Sequence, residues 1–239
     1  MKPAPLIALP GTLLDGRSLA ALLAGRQATT MILGDAATLD EEVDRLVAHT
    51  AEPAVWLGHS LGGIVALHLA LRHPGSVAAL VLLGANASAG RDSSEARRAA
   101  QWTLAQSDGL AALARSKLAP GYGLTPGLET DEALLASLAA QAAAVGLQRF
   151  KNQLAYARQR PGLLSPRRPL ACPVLALSGE LDTLCPPAQS DEIAALVQAP
   201  GRAEHHVLAR AGHLFPMQQP RWVASRLQSF LASIEESPP

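Results

Sequence analysis

The sequence predicts an α/β fold, with a mainly parallel sheet of about six strands, helices on both faces and an inserted helical block. Three observations carry this prediction. Short apolar runs alternate with amphipathic helical segments in both the first and last thirds of the chain. Between about Ser88 and Pro166 only helical patches occur. The chain's 239 residues, 49% hydrophobic and 17% charged, suit one large domain with a substantial core.

The elements read in order as follows. Leu6–Leu9 is an apolar strand that ends at Pro10-Gly11-Thr12-Leu13-Leu14-Asp15. Leu19, Leu22 and Leu23 have helical spacing within Arg17–Leu23, and Thr29–Leu33 is a second strand closed by Gly34-Asp35. Thr38 and Glu41 form a capping box for a helix running to about Ala51, with Val43, Leu46 and Val47 on its buried face. Ala54-Val55-Trp56-Leu57 is too short for a helix and is bounded by Gly58, so it reads as a strand buried on both faces. Gly58-His59-Ser60-Leu61-Gly62 follows, and then a small, apolar helical run from Gly63 to Arg72. Val77–Leu83 is another continuous apolar strand.

The inserted block contains helical patches at Glu95–Gln106, Gly109–Leu118, Asp131–Val145 and Leu147–Arg158. Thr130 is the expected N-cap of the third patch, and a Pro/Gly-rich segment, Pro120 to Gly127, divides the block. Ligands of open α/β sheets bind outside the carboxyl ends of the strands, so the block is expected to cap that edge. The expected division is a core of residues 1–87 and 167–239 with a cap of residues 88–166. Pro173–Ser178 returns to strand, Pro186-Pro187 open a helix over Ala188–Val197, and Glu204–Leu208 is a last, more polar strand. Pro220 starts the final helix, with Trp222, Val223, Leu227, Phe230 and Leu231 on its apolar side, and Glu235–Pro239 is expected to fray.

Composition narrows the function. Twenty basic and twenty acidic residues give a formal net charge of zero, which leaves no electrostatic footprint for nucleic acid or an anionic membrane. The apolar run near the start is cut short by Pro10, unlike a signal peptide, and no run is long enough for a membrane span. Cys172 and Cys185 make no disulfide framework, so a cytoplasmic protein with free thiols is expected. Neither metal-ligand spacing nor a phosphate-cradling loop occurs, so no metal and no cofactor are expected. Oligomeric state is open, a homo-oligomer included.

The informative stretch is Gly58–Gly62, a G-x-S-x-G pattern with a strand before it and a helix after it. A strand that reverses sharply into a helix strains its corner residue, and flanking glycines relieve the crowding. Ser60 then stands proud of the sheet near the positive end of the helix, and the Leu61 amide points to where an oxyanion would form. The competing role for Ser60 is a plain helix cap. A serine hydroxyl needs a base, and the base needs an orienter. His213 is the best base, because it lies in a Gly-His turn after the last strand, at the same sheet edge as Ser60. His49, His68 and His73 lie on or beside helices, His205 and His206 fall within a strand, and His59 is read as shaping the elbow. Asp182 is the best orienter, reached by a short turn from the penultimate strand, with helix capping as its competing role and Glu180 as its rival. An acid after the preceding strand is another known arrangement, but Gly84-Ala85-Asn86-Ala87 carries none. The second oxyanion donor is expected from the loop after the first strand, at Thr12, with Leu13 as the alternative.

Over nearly its full length the chain resembles the α/β-hydrolase superfamily. The resemblance rests on LPGTLLD, GHSLGG, SGELDTLCPP and AGHLFPMQQP in register, and on the order Ser60…Asp182…His213. It is most similar to small bacterial capped hydrolases that include carboxylesterases, enol-lactonases and acyl-carrier methyl esterases. The resemblance implies a serine hydrolase acting on a small-molecule ester, lactone or thioester. A same-fold carbon–carbon hydrolase or lyase, and a non-catalytic ligand receptor, are the alternatives. Many relatives have His-Gly where this chain has Pro10-Gly11, a change of loop shape rather than of chemistry because the donor is a backbone amide. Strands that many relatives place before the oxyanion strand are also absent, which leaves the minimal sheet. Trp102, Tyr122, Tyr156 and Phe215 can line a pocket or pack the core, and Cys185 lies near the presumed acid.

Overall fold

The computed structural model describes residues 3–90, 95–118, 131–164, 166–198 and 202–236. The expected cap residue Thr130, Tyr122 and the Pro120–Gly127 segment lie outside them. Six strands form one sheet: β1 (Leu6–Leu9), β2 (Ala28–Thr30), β3 (Ala54–His59), β4 (Val77–Leu83), β5 (Val174–Gly179) and β6 (Ala203–Leu208). Their order is β2-β1-β3-β4-β5-β6, and every neighbouring pair is parallel. The expected mainly parallel sheet of about six strands is therefore what the chain forms.

Side chains alternate across this sheet, as a two-residue period requires. Ile7, Leu9, Trp56, Leu80 and Leu82 pack on one face beneath α2 (Leu39–Val47) and α3 (Leu61–Arg72). Leu6, Ala8, Val55, Leu57, Val81 and Leu177 pack on the other, against α1 (Arg17–Ala20) and the last helix. Trp56 is fully buried and donates its indole N–H to the Ser76 carbonyl at 3.0 Å. The central strands β3 and β5 are buried at every position, whereas the edge strands β2 and β6 are half exposed, which accounts for the polarity of β6.

Between β4 and β5 the described chain forms α4 (Glu95–Ser107), α5 (Leu110–Leu113) with a π-helical turn over Ala114–Leu118, α6 (Glu132–Val145) and α7 (Leu147–Gln159). Asp131 caps α6, its side chain accepting from the Leu134 amide, one residue after the expected Thr130. After β5 come α8 (Pro187–Ala194), α9 (Phe215–Gln218) and α10 (Pro220–Glu236). No single helix among the described residues is long and apolar enough to cross a membrane.

Several boundaries differ from the sequence expectation, for local reasons. The Thr38–Glu41 capping box forms as read, but α2 ends at Val47. Strand β2 stops at Thr30 because the next carbonyls serve side chains: Ile32 accepts from Arg45 and Leu33 from Gln153. Helix α1 stops at Ala20, although Leu22 and Leu23 remain buried in the turn that follows. Helix α8 ends at Ala194 because the chain turns out to pair with Leu170, which exchanges backbone bonds with Leu196 and Gln198. In contrast, α10 keeps Glu235 and Glu236 helical where fraying was expected.

Candidate active site

Every strand end on the carboxyl edge except that of β2 delivers one part of the site: Thr12 after β1, Ser60 after β3, Gly84 after β4, Asp182 after β5 and His213 after β6. The turn into α3 is tight. Ser60 has φ 53° and ψ −116°, a conformation costly for a residue with a side chain, and its N–H is held by the Leu83 carbonyl at 2.9 Å. The close approach depends on Gly62, where a Cβ would overlap the Leu9 carbonyl oxygen at the end of β1. Leu61 opens α3 ahead of the first intrahelical bond, Ile64 N–H to Ser60 O, so its amide has no carbonyl partner within the helix.

Ser60 makes no cap bond to its helix. Instead its hydroxyl lies 2.9 Å from His213 Nε2, and His213 Nδ1 lies 2.7 Å from Asp182 Oδ2. A carboxylate on Nδ1 holds the tautomer whose bare Nε2 accepts the hydroxyl proton. Asp182 and His213 are buried, while Ser60 is half-buried and open to a reactant. The other Asp182 oxygen accepts from the Leu184 and Cys185 amides at 2.9 and 2.8 Å, a turn that orients the carboxylate and does not cap α8. The two loops are joined by their backbones, Leu181 N–H to Ala211 O at 2.8 Å. Glu180, the rival acid, points outward and accepts from the Arg210 amide. Gly84 lies behind the pair with φ 54°, and a Cβ there would stand 3.1 Å from Asp182 Oδ2 and 3.2 Å from His213 Nδ1.

His59 is fully buried against His213, ring centroids 5.1 Å apart, and donates from Nε2 to the His213 carbonyl at 3.0 Å. Its Nδ1 has no partner. Burial, followed by the neighbouring His213 charge, pushes its pKa down to about 3, so the ring is held neutral. Cys185 is buried with its thiol pushed up to about 12, first by burial and then by Asp182, and Asn86 Nδ2 donates to its sulfur at 3.4 Å. That thiol is inert filler beside Asp182.

On the β1 loop the two candidate donors differ. Leu13 N–H is taken by the Gln153 side-chain oxygen at 3.0 Å, whereas Thr12 N–H has no partner among the described residues. Sequence reasoning missed Gln153, because nothing in a polar helix with three glutamines marks one amide as reaching a loop so distant in the chain. Tyr156 and Phe215 are fully buried core residues, and Trp102 packs on Phe150 with ring centroids 6.4 Å apart. Among the described residues no three His, Cys, Asp or Glu side chains converge as a metal site. A second string of the same residue types exists, Ser178 Oγ to His205 Nε2 at 3.1 Å and His205 Nδ1 to Asp191 at 2.6 Å, but Ser178 is sealed inside the sheet.

Comparison with known proteins agrees with this architecture. Pimeloyl-[acyl-carrier protein] methyl ester esterase of Vibrio vulnificus strain CMCP6 is 28% identical over 212 residues, 82% of this chain and 76% of that protein. A thermophilic esterase from Thermogutta terrifontis superposes with a TM-score of 0.84 at 19% identity, covering 97% of this chain and 90% of its own. The enol-lactonase from Burkholderia xenovorans LB400 superposes with a TM-score of 0.78 at 21% identity, covering 96% and 92%. The profile of the Alpha/beta hydrolase family matches residues 6–226, and the chain belongs to that family.

Proposed function

We propose that the protein is a serine hydrolase that cleaves a carboxylic ester, lactone or thioester through an acyl-enzyme, with Ser60, His213 and Asp182 as its triad. The observation that carries this reading is the hydrogen-bonded string Ser60–His213–Asp182, ending on a half-buried serine next to the β1 loop, whose Thr12 amide has no partner among the described residues. Ser60 Oγ attacks the carbonyl carbon while its proton passes to His213 Nε2, and Asp182 stabilises the imidazolium. The carbonyl oxygen, now negative, receives N–H bonds from Thr12 and Leu61, each such donor being worth roughly 10²–10³ in turnover. The imidazolium then protonates the leaving alcohol or thiol. Water, deprotonated by His213, attacks the acyl-enzyme, releases the acid and restores Ser60.

The esterase name of the Vibrio relative supports an acyl ester as substrate class, and residues 88–166 are the proposed cap over the site. A cytoplasmic location belongs to the same reading. The test is intact-mass analysis after a fluorophosphonate probe. Wild type should gain one adduct and Ser60→Ala none, and labelling of His213→Ala should slow by at least about a thousandfold. A wild type that stays unlabelled and hydrolyses no ester in an acyl-chain panel would overturn the hydrolase in favour of a ligand receptor. Turnover of diketones without ester hydrolysis would indicate carbon–carbon cleavage.

A further inference from the structure

We propose that Gln153, on the inserted helix α7, is a positioning residue for the reaction: it fixes the loop after β1 so that the Thr12 amide stays aimed at the reacting carbonyl. The inference rests on the hydrolase reading above. Its starting point is the use of the backbone amides along that loop. Leu13 N–H goes to Gln153 Oε1 at 3.0 Å, Leu14 N–H to the Gly11 carbonyl at 3.1 Å, and Asp15 N–H to Gln141 Oε1 at 3.2 Å. Three consecutive amides are tied down, and the one before them, Thr12, is left unbonded among the described residues. Gly11 holds that amide close to the nucleophile, since a Cβ on Gly11 would lie 3.2 Å from the Ser60 Cβ.

Gln153 holds the loop in one orientation. It is buried, and while its oxygen accepts from Leu13 its nitrogen donates to the Leu33 carbonyl at 2.9 Å. Turning the amide over would set donor against donor and acceptor against acceptor, so one side chain locks the loops after β1 and β2 together. Leu13 needs this support. Its φ of 58° is a left-handed conformation that leucine adopts at a cost, and its side chain is buried with Leu110, Leu113 and Phe150 of the insertion. Leu14 packs with Leu138 of α6 and with Leu214, the residue after the base. The insertion therefore grips the oxyanion loop by two buried amides and two leucines. The Thr12 N–H shares its peptide plane with the Gly11 carbonyl, which among the described residues is held only by Leu14 N–H of the same turn, so releasing Leu13 loosens the Gly11–Leu14 turn and lets that N–H turn away.

The test measures kcat and KM on a p-nitrophenyl ester for wild type, Gln153→Met, Gln153→Glu and Asn152→Leu, with Tm for each. Gln153→Met keeps the shape and loses both bonds, and should lose ten- to a hundredfold in kcat with KM within about twofold. Gln153→Glu distinguishes positioning from simple cap attachment. A protonated carboxyl restores both bonds, whereas a carboxylate confronts the Leu33 carbonyl, so its kcat relative to wild type should rise as the pH is lowered from about 8 to 6. Asn152→Leu removes a neighbouring anchor, Asn152 Nδ2 to Gly34 O at 2.9 Å, and should lower Tm with kcat unchanged. A methionine variant with wild-type kcat, or one that changes kcat no more than Asn152→Leu does, overturns the proposal. Should the methionine chain not fold, a flat Glu-to-wild-type ratio across that pH range overturns it equally. Loss of ester turnover and labelling in wild type itself would instead strike the hydrolase reading on which it rests.

Discussion

His59 is buried beside Ser60, with Nε2 donating to the His213 carbonyl at 3.0 Å and Nδ1 without a partner. Its consequence is a pH effect of known sign. The buried ring stays neutral down to about pH 3, while the unfolded chain takes up a proton near the ordinary value of about 6.5. The stability His59 supports is complete above about 6.5 and drains away as the pH falls from there toward 3. Urea midpoints measured from pH 7 to 5 should cost wild type about 2 kcal/mol more than His59→Asn, and equal slopes would refute the assignment. Gly84→Ala should act on the neighbouring pair. A left-handed alanine costs about 1 kcal/mol, and its Cβ would press on Asp182 and His213, so Tm should drop by a few degrees and kcat by about tenfold with KM little changed. Ser178 serves as an internal control, because peptide mapping of the labelled protein should find Ser60 modified and Ser178 clean. Ser60, Asp182 and His213 could be selected from strand-end position and residue chemistry alone, and the structure brings them within hydrogen-bonding distance. Gln153, Gln141 and the left-handed Leu13 could not, since none carries a local signal and each depends on how distant segments dock.

Elements whose own residues decide their form were readable. Strands β1, β3, β4 and β5 are continuous apolar runs, and α2 declares its start through Thr38 and Glu41. Among the elements that ended early, β2 and α8 are followed by backbone that another segment claims. The junction of α2 with α7 shows how strongly such claims bind. Glu42 is fully buried and accepts from the Gly34 and Ala36 amides at 3.1 and 3.0 Å, from Arg45 at 2.7 Å and from the Tyr156 hydroxyl at 3.2 Å. Burial, and then the Glu42 charge, raise the Tyr156 pKa well above the usual phenol range, so the hydroxyl remains a donor. Glu42→Ala would strand the Gly34 and Ala36 amides, while Tyr156 keeps the Ala36 carbonyl and Arg45 the Ile32 carbonyl. It should cost roughly 3 kcal/mol in urea unfolding, whereas Tyr156→Phe should cost about 1 kcal/mol. Equal costs would mean that the tyrosine, and not the carboxylate, is the centre of the junction.

Across the whole molecule, β2, β1, β3 and β4 are contiguous in sequence and adjacent in the sheet, while β5 joins β4 only after the long helical insertion has been spanned. Early contacts are local and the last ones are distant, so closing the β4–β5 ladder carries the larger loop-entropy cost. The residues of the proposed site divide along the same line, Thr12 and Ser60 among the first four strands, Asp182 and His213 after β5 and β6. On a translating ribosome the strained serine corner emerges first and waits through the whole insertion for the imidazole that would arm it. On the proposed triad, the topology would work as a timer, keeping the nascent chain chemically silent until His213 is in place. In cell-free translation, fluorophosphonate reactivity should appear only with completed chains, never with the shorter ones that precede them.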